Sequence, residues 1–362
     1  MVGRLVNMCK NLSVSANRGS YLIEIGKSVS GIAQSVNDIW LVDKKIIDRL
    51  PALNKVISID ASEETKSLET CIEVMHQMKI LGANRDSKLI AVGGGVTQDI
   101  ATLCASLYMR GLTWTFIPTT KMAQLDSCIG GKSSINLSGI KNLVGNIYPP
   151  SNVVIDFVFD ETLSKEALVA GYLEAIKISF ARGSSQFNSH LEISHRYEQL
   201  EDIPRAELCF HVLEHKKYFI EEDENDLGVR QLLNFGHTFG HALESASNYG
   251  FHHGVAIGLG MLMALEHPLS HSDFISERLK ETILTLLKHA GKESVLALSQ
   301  ISSADFYYAF DQDKKHSHLN HNLILYTPDG LAKIPILKSE DEKKWVIDCF
   351  EIVRGALNNE LW

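Results

Sequence analysis

The chain has 362 residues, 45% of them hydrophobic and 22% charged, enough for two globular domains with apolar cores and unlike a disordered polymer. Its formal net charge of −9 leaves no basic field for nucleic acid or an anionic membrane, so an anionic ligand has to be held by a local cluster of cations. The six cysteines show no CxxC spacing, which favours reduced core thiols and a cytosolic chain over a disulfide framework or a zinc ribbon. The N-terminal stretch lacks the apolar segment of a signal peptide, and the longest apolar run, Val255 to Leu265, is too short to span a bilayer.

The first half alternates short apolar runs with helical stretches. "YLIEIG", "IWLVD", "KVISID", "KLIAVGGG", "TWTFIPTT" and "NVVID" read as strands, many without polar alternation, as parallel strands buried on both faces do. Between them, "KSLETCIEVMHQMKILG" and "TQDIATLCASLYMRG" read as helices closed by Gly82 and Gly111. These define an α/β domain with a mostly parallel sheet over residues 1–158. Helical patterns such as "FISERLKETILTLLKHAG" then take over, predicting a mainly helical second domain over 159–362 in which "NLILYTP" is a strand or part of a small ribbon. No internal repeat or low-complexity segment interrupts either half.

Several motifs carry chemistry. "KLIAVGGGVTQDIA" places a glycine run between a strand and a helix start, where backbone N–H groups and the positive helix end can meet a phosphate, although the GxGxxG order is absent and a plain tight turn is the alternative. Asp43, closing "IWLVD", suits a ribose hydroxyl or a helix cap equally. "DSCIGGKSSINLSGIKNLVG" is not a P-loop, because Asp126 stands where that motif needs glycine. Instead Lys132, Lys141 and Asn142 occupy a glycine-punctuated loop, a common home for binding groups. "GYLEAIKISF" sets Glu174 and Lys177 three apart on one helix face. An isolated pair of this kind is commonly a surface ion pair, but its apolar neighbours imply burial, where a carboxylate needs a metal or a cation.

In "RQLLNFGHTFGHALESAS", taken as one helix, Arg230, Asn234, His237 and His241 fall at roughly 0°, 40°, 340° and 20° around the axis, a single polar stripe among apolar flanks. Such a stripe faces a ligand or a metal unless it is simply solvated. Gly236 and Gly240 cost such a helix roughly 1 kcal/mol each, which points to something approaching the backbone closely. "FHHG" adds His252 and His253, so Glu174, His237 and His253 make a His₂Glu set of the kind that binds catalytic zinc with an open position. The glutamate of HExxH is absent, which disfavours a zincin protease.

Together, "GGGVTQD", "YMRG", "IPTT", "QLDSCIGGK", "IKNLVG", "EAIK", "EDENDLGVR", "LNFGHTFGHALE" and "HHG" resemble, in order and spacing, the 3-dehydroquinate synthase family of sugar phosphate cyclases. The resemblance implies a zinc or cobalt ion on Glu174, His237 and His253. It implies NAD along Asp43, Glu63, Lys66, Gly94, Gly95, Val96, Asp99, Thr119 and Thr120, with Asp126, Lys132 and Lys141 shared with the substrate. Substrate and catalysis fall to Asp126, Lys132, Lys141, Asn142, Lys177, Lys216, Arg230, Asn234 and His241, with Lys314 or Lys315 and Arg110 reaching the phosphate. Implied with them are transient oxidation by bound NAD, β-elimination of phosphate, re-reduction and aldol closure, a place in the shikimate pathway, and a cytoplasmic homodimer.

The implied substrate is 3-deoxy-D-arabino-heptulosonate 7-phosphate, on the ground that Lys216 and Arg230 form a cation pair suited to its carboxylate. An amino analogue, sedoheptulose 7-phosphate and glucose 6-phosphate are the alternatives within the cyclases. A metal-dependent alcohol dehydrogenase related to glycerol dehydrogenase is the alternative outside them. The chain departs from the family pattern at Gln98 for glycine, Val169 for arginine, Ile178 and Ser179 for tyrosine and glycine, and Val255 for glutamate. The last would remove a group that orients a metal ligand.

Overall fold

The computed structural model describes residues 9–138, 140–248 and 250–360. The chain forms two compact units. The first holds the described residues up to Leu163 together with Arg205–Asn225, and the second holds Ser164–Pro204 and the described residues from Asp226 on.

In chain order, the first unit opens with β1 (Lys10–Ala16), β2 (Gly19–Ile25), β3 (Ile39–Asp43), β4 (Val56–Ile59), α1 (Leu68–Ile80), β5 (Lys88–Gly93) and α2 (Gly95–Leu107). It continues through β6 (Thr113–Pro118), β7 (Lys132–Leu137), β8 (Ile140–Ile147) and β9 (Asn152–Ile155). The chain then builds α3 (Lys165–Arg182) and α4 (Ser184–Ile193) of the second unit and returns to the first for α5 (Arg205–Glu222). The second unit is completed by α6 (His237–Ala246), α7 (His253–Glu266), α8 (Phe274–Ala290), α9 (Lys292–Ser299), α10 (Ser303–Asp311), β10 (Asn320–Thr327), β11 (Gly330–Leu337) and α11 (Glu340–Glu360).

Seven strands of the first unit form one sheet in the order β1-β2-β9-β6-β5-β3-β4, antiparallel between β1 and β2 and parallel elsewhere. The six apolar runs read from the sequence are β2, β3, β4, β5, β6 and β9. β1 escaped that reading because an edge strand buries one face only: Leu12 and Val14 point in while its other residues stay polar or half-exposed. The core of the parallel part is β-branched and aromatic, with Trp40, Val42, Ile90, Val92, Ile117, Val154 and Phe159 all buried together. The lysine-bearing "loop" is an antiparallel ribbon, β7 with β8, entered through Gly130 and Gly131 at positive φ. Arg205–Asn225, expected with the helical half, belongs to the first unit, where α5 lays Leu208, Val212, Leu213, Phe219 and Ile220 inward and packs on β1 and β2. A helix's apolar stripe does not say in sequence which core it covers.

In the second unit α7 is the central element, with every residue from Gly254 to Leu265 buried and α3, α6, α8 and α11 packed on it. "NLILYT" lies in β10, paired antiparallel with β11, and Pro328 follows its end. The helix expected from Arg230 onward is broken. Val229–Asn234 is a 3-10 turn, Phe235 is extended at ψ 128°, Gly236 is left-handed at φ +76°, and only then does α6 begin at His237. Arg230 and Asn234 therefore share no helical stripe with His237 and His241. The close approach implied by the glycines is α7 itself. A Cβ on Gly236 would stand 2.7 Å from Met261 N, and one on Gly260 would stand 2.1 Å from Gly236 O.

Gly260→Ala is expected to destabilise the protein by roughly 2–3 kcal/mol, the scale of an overpacked core, and a urea midpoint equal to that of the parent would disprove this. A second expectation concerns pH. Burial pushes the His267 imidazole down to about 4, while its Nδ1 accepts from Leu269 N at 3.2 Å, so the ring is held neutral. The unfolded chain takes up this proton near its ordinary value of about 6.5, so stability is full above that pH and falls as the pH drops toward 4. His267→Leu is expected to flatten this slope by about 2 kcal/mol across the window, measured by urea unfolding at pH 7 and pH 5.

Candidate active site

The first unit gathers most of the residues expected around NAD. β3 and β5 are neighbours, yet the chain runs outward from β3 to β4 and to the other side from β5 to β6. The strand order thus reverses between them, and the carboxyl ends of strands at such a point flank the crevice in which α/β sheets bind ligands. Asp43 closes β3, and Gly93 closes β5 before Gly94 and Gly95 lead into α2. Asp43 accepts from Lys45 N at 3.0 Å, so it caps the following 3-10 turn.

Gly94 precedes α2 with no side-chain cap, and Thr119 N donates to Gly93 O at 2.9 Å. Thr120 lies so close to Gly94 that a Cβ there would meet its Cγ2 at 2.9 Å, whereas at Gly95 nothing lies within 4 Å. Val96 follows in the first turn of α2, whose first-turn backbone N–H groups and positive end suit a phosphate.

A polar cluster adjoins this turn. Lys66 lies 2.7 Å from Asp99 and donates to Asn142 Oδ1 at 2.7 Å, Ser134 N donates to Asp99 at 3.0 Å, Asn136 Nδ2 donates to Glu63 at 2.9 Å, and Lys141 lies 3.8 Å from Glu63. Burial outweighs the attraction of Lys66 and pushes the Asp99 carboxyl up to about 6. Asn142 holds φ +54° at the ribbon's turn end, and Lys132 is exposed where β7 starts. Asp126 sits in a π-helical turn, Ala123–Ser127, and pairs with Lys216 of α5 at 2.9 Å. Lys216 therefore already has a counter-ion in its own unit, which weakens the case for a bare cation pair with Arg230.

Gln98 is also explained. Its Nε2 donates to Ser127 O at 2.7 Å and its Oε1 accepts from Ser127 Oγ at 2.6 Å, clasping α2 to the Asp126 turn. Arg110 stands apart from this cluster. It lies exposed beyond the C-terminal end of α2, about 20 Å along the helix from Gly95.

The second unit gathers the metal-type donors. Glu174 and Lys177 form a buried ion pair on α3 through Glu174 Oε2. Glu174 Oε1 is buried without a hydrogen-bond partner, 4.0 Å from His237 Nε2 and 3.9 Å from His253 Nε2. Around a tetrahedral divalent ion, ligand atoms about 2.0 Å from the metal sit roughly 3.3 Å apart, so drawing these two distances in by about 0.6–0.7 Å brings Glu174 Oε1 to ligand spacing from both rings. The far ring nitrogens are already engaged: His237 Nδ1 faces Phe235 O at 3.3 Å and His253 Nδ1 faces Glu244 at 3.2 Å. Carboxylate-held imidazole is the usual support of a metal-bound histidine. The residues present thus fit a divalent ion of the zinc or cobalt type.

Burial, reinforced by the Lys177 charge, holds His237 well below the usual imidazole range and so in the neutral, ligating form. Burial acts the same way on His253, but the Glu244 bond and charge, with Glu174, outweigh it and raise that ring. Val255 is fully buried among apolar residues, and the support for His253 comes from Glu244 on α6 instead. Val169 is likewise fully buried, and Ser179 bonds the buried His190 at 2.8 Å.

His241 lies beside this set, and ligand atoms of His237, His241 and His253 all lie within 4.8 Å of one another. His241 Nδ1 is 3.5 Å from Asp313 Oδ2 and 3.2 Å from Lys315 Nζ, while Lys315 is 3.3 Å from Asp313. Burial opposes the ionised form of Asp313, yet the His241 bond and the Lys315 charge hold its carboxyl below the ordinary range. Of the two lysines in "DQDKK", Lys315 faces the histidines and Lys314 is exposed. Arg230 is buried in its 3-10 turn, and Asn234 donates to Gln231 O at 3.1 Å. Glu244 and Asp313 were missed in sequence. The signal was there: each is an acid one helical turn or less from a site residue, at Glu244 after His241 and Asp313 before Lys315.

The fold is that of the sugar phosphate cyclases. The crystal structure of 2-deoxy-scyllo-inosose synthase complexed with carbaglucose-6-phosphate, NAD+ and Co2+ superposes with a TM-score of 0.75 at 22% identity, over 95% of this chain and 99% of that one. 2-Epi-5-epi-valiolone synthase from Streptomyces hygroscopicus, with NAD+ and Zn2+ bound, gives 0.75 at 22%, over 94% and 98%. A probable glycerol dehydrogenase from Sinorhizobium meliloti gives 0.54 at 14%, over 89% and 91%.

The chain belongs to the 3-dehydroquinate synthase family: residues 56–170 match the family's N-terminal domain and 171–316 its C-terminal domain. The 3-dehydroquinate synthase of Dictyoglomus thermophilum is 38% identical over 296 residues, 80% of each chain. That of Campylobacter concisus is 32% identical over 347 residues, 93% of this chain and 97% of its own.

Proposed function

We propose that the chain converts 3-deoxy-D-arabino-heptulosonate 7-phosphate into 3-dehydroquinate and phosphate, using NAD and one divalent metal ion, zinc or cobalt. The observation that carries the reading is the unpartnered, buried Glu174 Oε1 facing the Nε2 atoms of His237 and His253, in a chain of this family. The metal supplies Lewis acidity toward a substrate alcohol and carbonyl, and NAD supplies a reversible oxidant that returns to its starting state.

The protein's own groups bind and orient. Glu174, His237 and His253 hold the metal, and Lys177 neutralises the second Glu174 oxygen so that the carboxylate keeps one fixed orientation. Lys315, backed by Asp313, offers a cation for the phosphate, and His241, whose Nδ1 faces Lys315 and Asp313, is placed to hold or pass a proton at Nε2. Arg230 and Asn234 are assigned to the carboxylate end. In the first unit, Gly94, Gly95, Val96, Thr119 and Thr120 are assigned to the dinucleotide phosphates, and Asp43, Glu63, Lys66 and Asp99 to its sugar and nicotinamide parts. Asp126, Lys132, Lys141, Asn142 and Lys216 are assigned to the ligands' polar rims. No helix among the described residues is long and apolar enough to cross a membrane. A cytoplasmic homodimer is proposed on the family resemblance.

Phosphate release from a panel of sugar phosphates tests the reading. Turnover is expected to be fastest with the carboxylated heptulosonate 7-phosphate, and Arg230→Ala is expected to lose roughly 2 kcal/mol of transition-state stabilisation with it. Faster turnover of sedoheptulose 7-phosphate, glucose 6-phosphate or the amino analogue would reassign the substrate. Net NADH formation from a simple polyol without phosphate release would make the chain a dehydrogenase. In the same preparation, His237→Ala is expected to retain less than about a tenth of the bound metal, and full stoichiometry would remove it from the ligand set.

A further inference from the structure

One charged cluster of the second unit is used by none of this chemistry. His321 on β10 and Glu342 in the first turn of α11 are both fully buried, with side-chain exposure of 0%. The imidazole stands between two carboxylates: Nε2 is 2.8 Å from Asp311 Oδ1 at the end of α10, and Nδ1 is 2.7 Å from Glu342 Oε1. Carboxylate oxygens accept only, so the ring donates from Nε2 to Asp311, while Nδ1 faces the buried Glu342 carboxylate at ion-pair distance without hydrogen-bond geometry. Its two nitrogens address opposite partners, which rules out convergence on a single ion of the kind formed by Glu174, His237 and His253.

The cluster's neighbours show what it holds. The Phe310 and His316 rings pack on His321 with centroids at 4.9 and 4.4 Å. Asn322, next on β10, donates from its N–H to His316 Nδ1 at 3.0 Å and from its amide to Lys315 O at 2.7 Å. Asp311 and His316 bracket the stretch that carries Asp313 and Lys315, and both ends of that stretch are tied to the start of β10. Phe310 also meets Phe239 of α6, two residues before His241, at 5.2 Å.

We propose that His321 is a positioning residue: by linking Asp311 to Glu342 it fixes the 311–316 segment and so sets the contact of Asp313 and Lys315 with His241. The expected kinetic effect rests on the reading of Lys315 as the phosphate contact, whereas the placement of the segment does not.

The test uses the protein loaded with NAD and zinc and compares the parent with His321→Leu, His321→Gln and Glu342→Gln. Acetylation of Lys315 by acetic anhydride, read by peptide mass spectrometry relative to the exposed Lys314, reports whether Lys315 has left its partners. At a temperature where circular dichroism and metal content match the parent, the Lys315 to Lys314 labelling ratio is expected to rise at least fivefold in His321→Leu. The KM for the heptulosonate 7-phosphate is expected to rise about tenfold with kcat changed less than threefold. If His321→Leu does not fold, the other two variants are expected to raise the ratio at least twofold. An unchanged ratio in folded variants overturns the proposal, and a lower Tm alone would then mark His321 as a brace of the core. A raised ratio in a chain whose parent releases no phosphate would overturn the functional reading and leave this proposal standing.

Discussion

The second unit depends on backbone touching backbone where α6 and α7 cross. Gly260 lies against the Gly236 carbonyl and the Gly240 N–H at distances that any side-chain carbon would forbid, and Gly254 lies against the Ala170 carbonyl of α3 in the same way. His237 and His253 are the first residues of α6 and α7, and Glu174 is one turn along α3 from Ala170. The separation of the three donors is therefore fixed by rigid main-chain approach and not by side-chain choice. Glycine within a helix costs roughly 1 kcal/mol, and here the dense packing it permits offsets that cost.

The charges follow a shared pattern. Lys66 has Asp99, Lys216 has Asp126, Lys177 has Glu174 and Lys315 has Asp313, so each of these candidate ligand-binding cations already carries its own acid. An acidic chain thus gives each of these lysines a counter-ion without a ligand, and an arriving anion exchanges partners with a group that is already oriented. Such exchange sacrifices some affinity, since the internal pair must loosen, but it spares the desolvation of a bare buried cation.

What the sequence showed and hid follows from the range of the interactions. Doubly buried strands and glycine helix stops depend on residue type at short spacing and were legible, whereas Glu174, far from His237 and His253 in sequence, joined them only as a buried acid in need of a metal or cation. The break at Gly236 was not, because a glycine inside a helical pattern is silent about the sign of its φ until α7 closes on it. The β7–β8 ribbon was hidden by its polar surface, since a two-stranded ribbon has little apolar alternation to display. The roles of Glu244, Asp313 and Gln98 are pairwise contacts made through space, and Gln98 looked like a mere departure until Ser127 appeared opposite it.

The excursion of the chain into the second unit and back has a consequence for synthesis on the ribosome. The sheet of the first unit is complete in sequence by β9, but the helix that covers β1 and β2 lies beyond two helices of the other unit. Translation therefore exposes an uncovered, apolar sheet face during the interval in which some fifty further residues are made, at a rate of about 5–20 residues per second. For several seconds the nascent protein carries surface that α5 later covers. A gene fragment stopped just after β9 would retain that liability permanently, and expression as separate halves divides the chain where its topology does not.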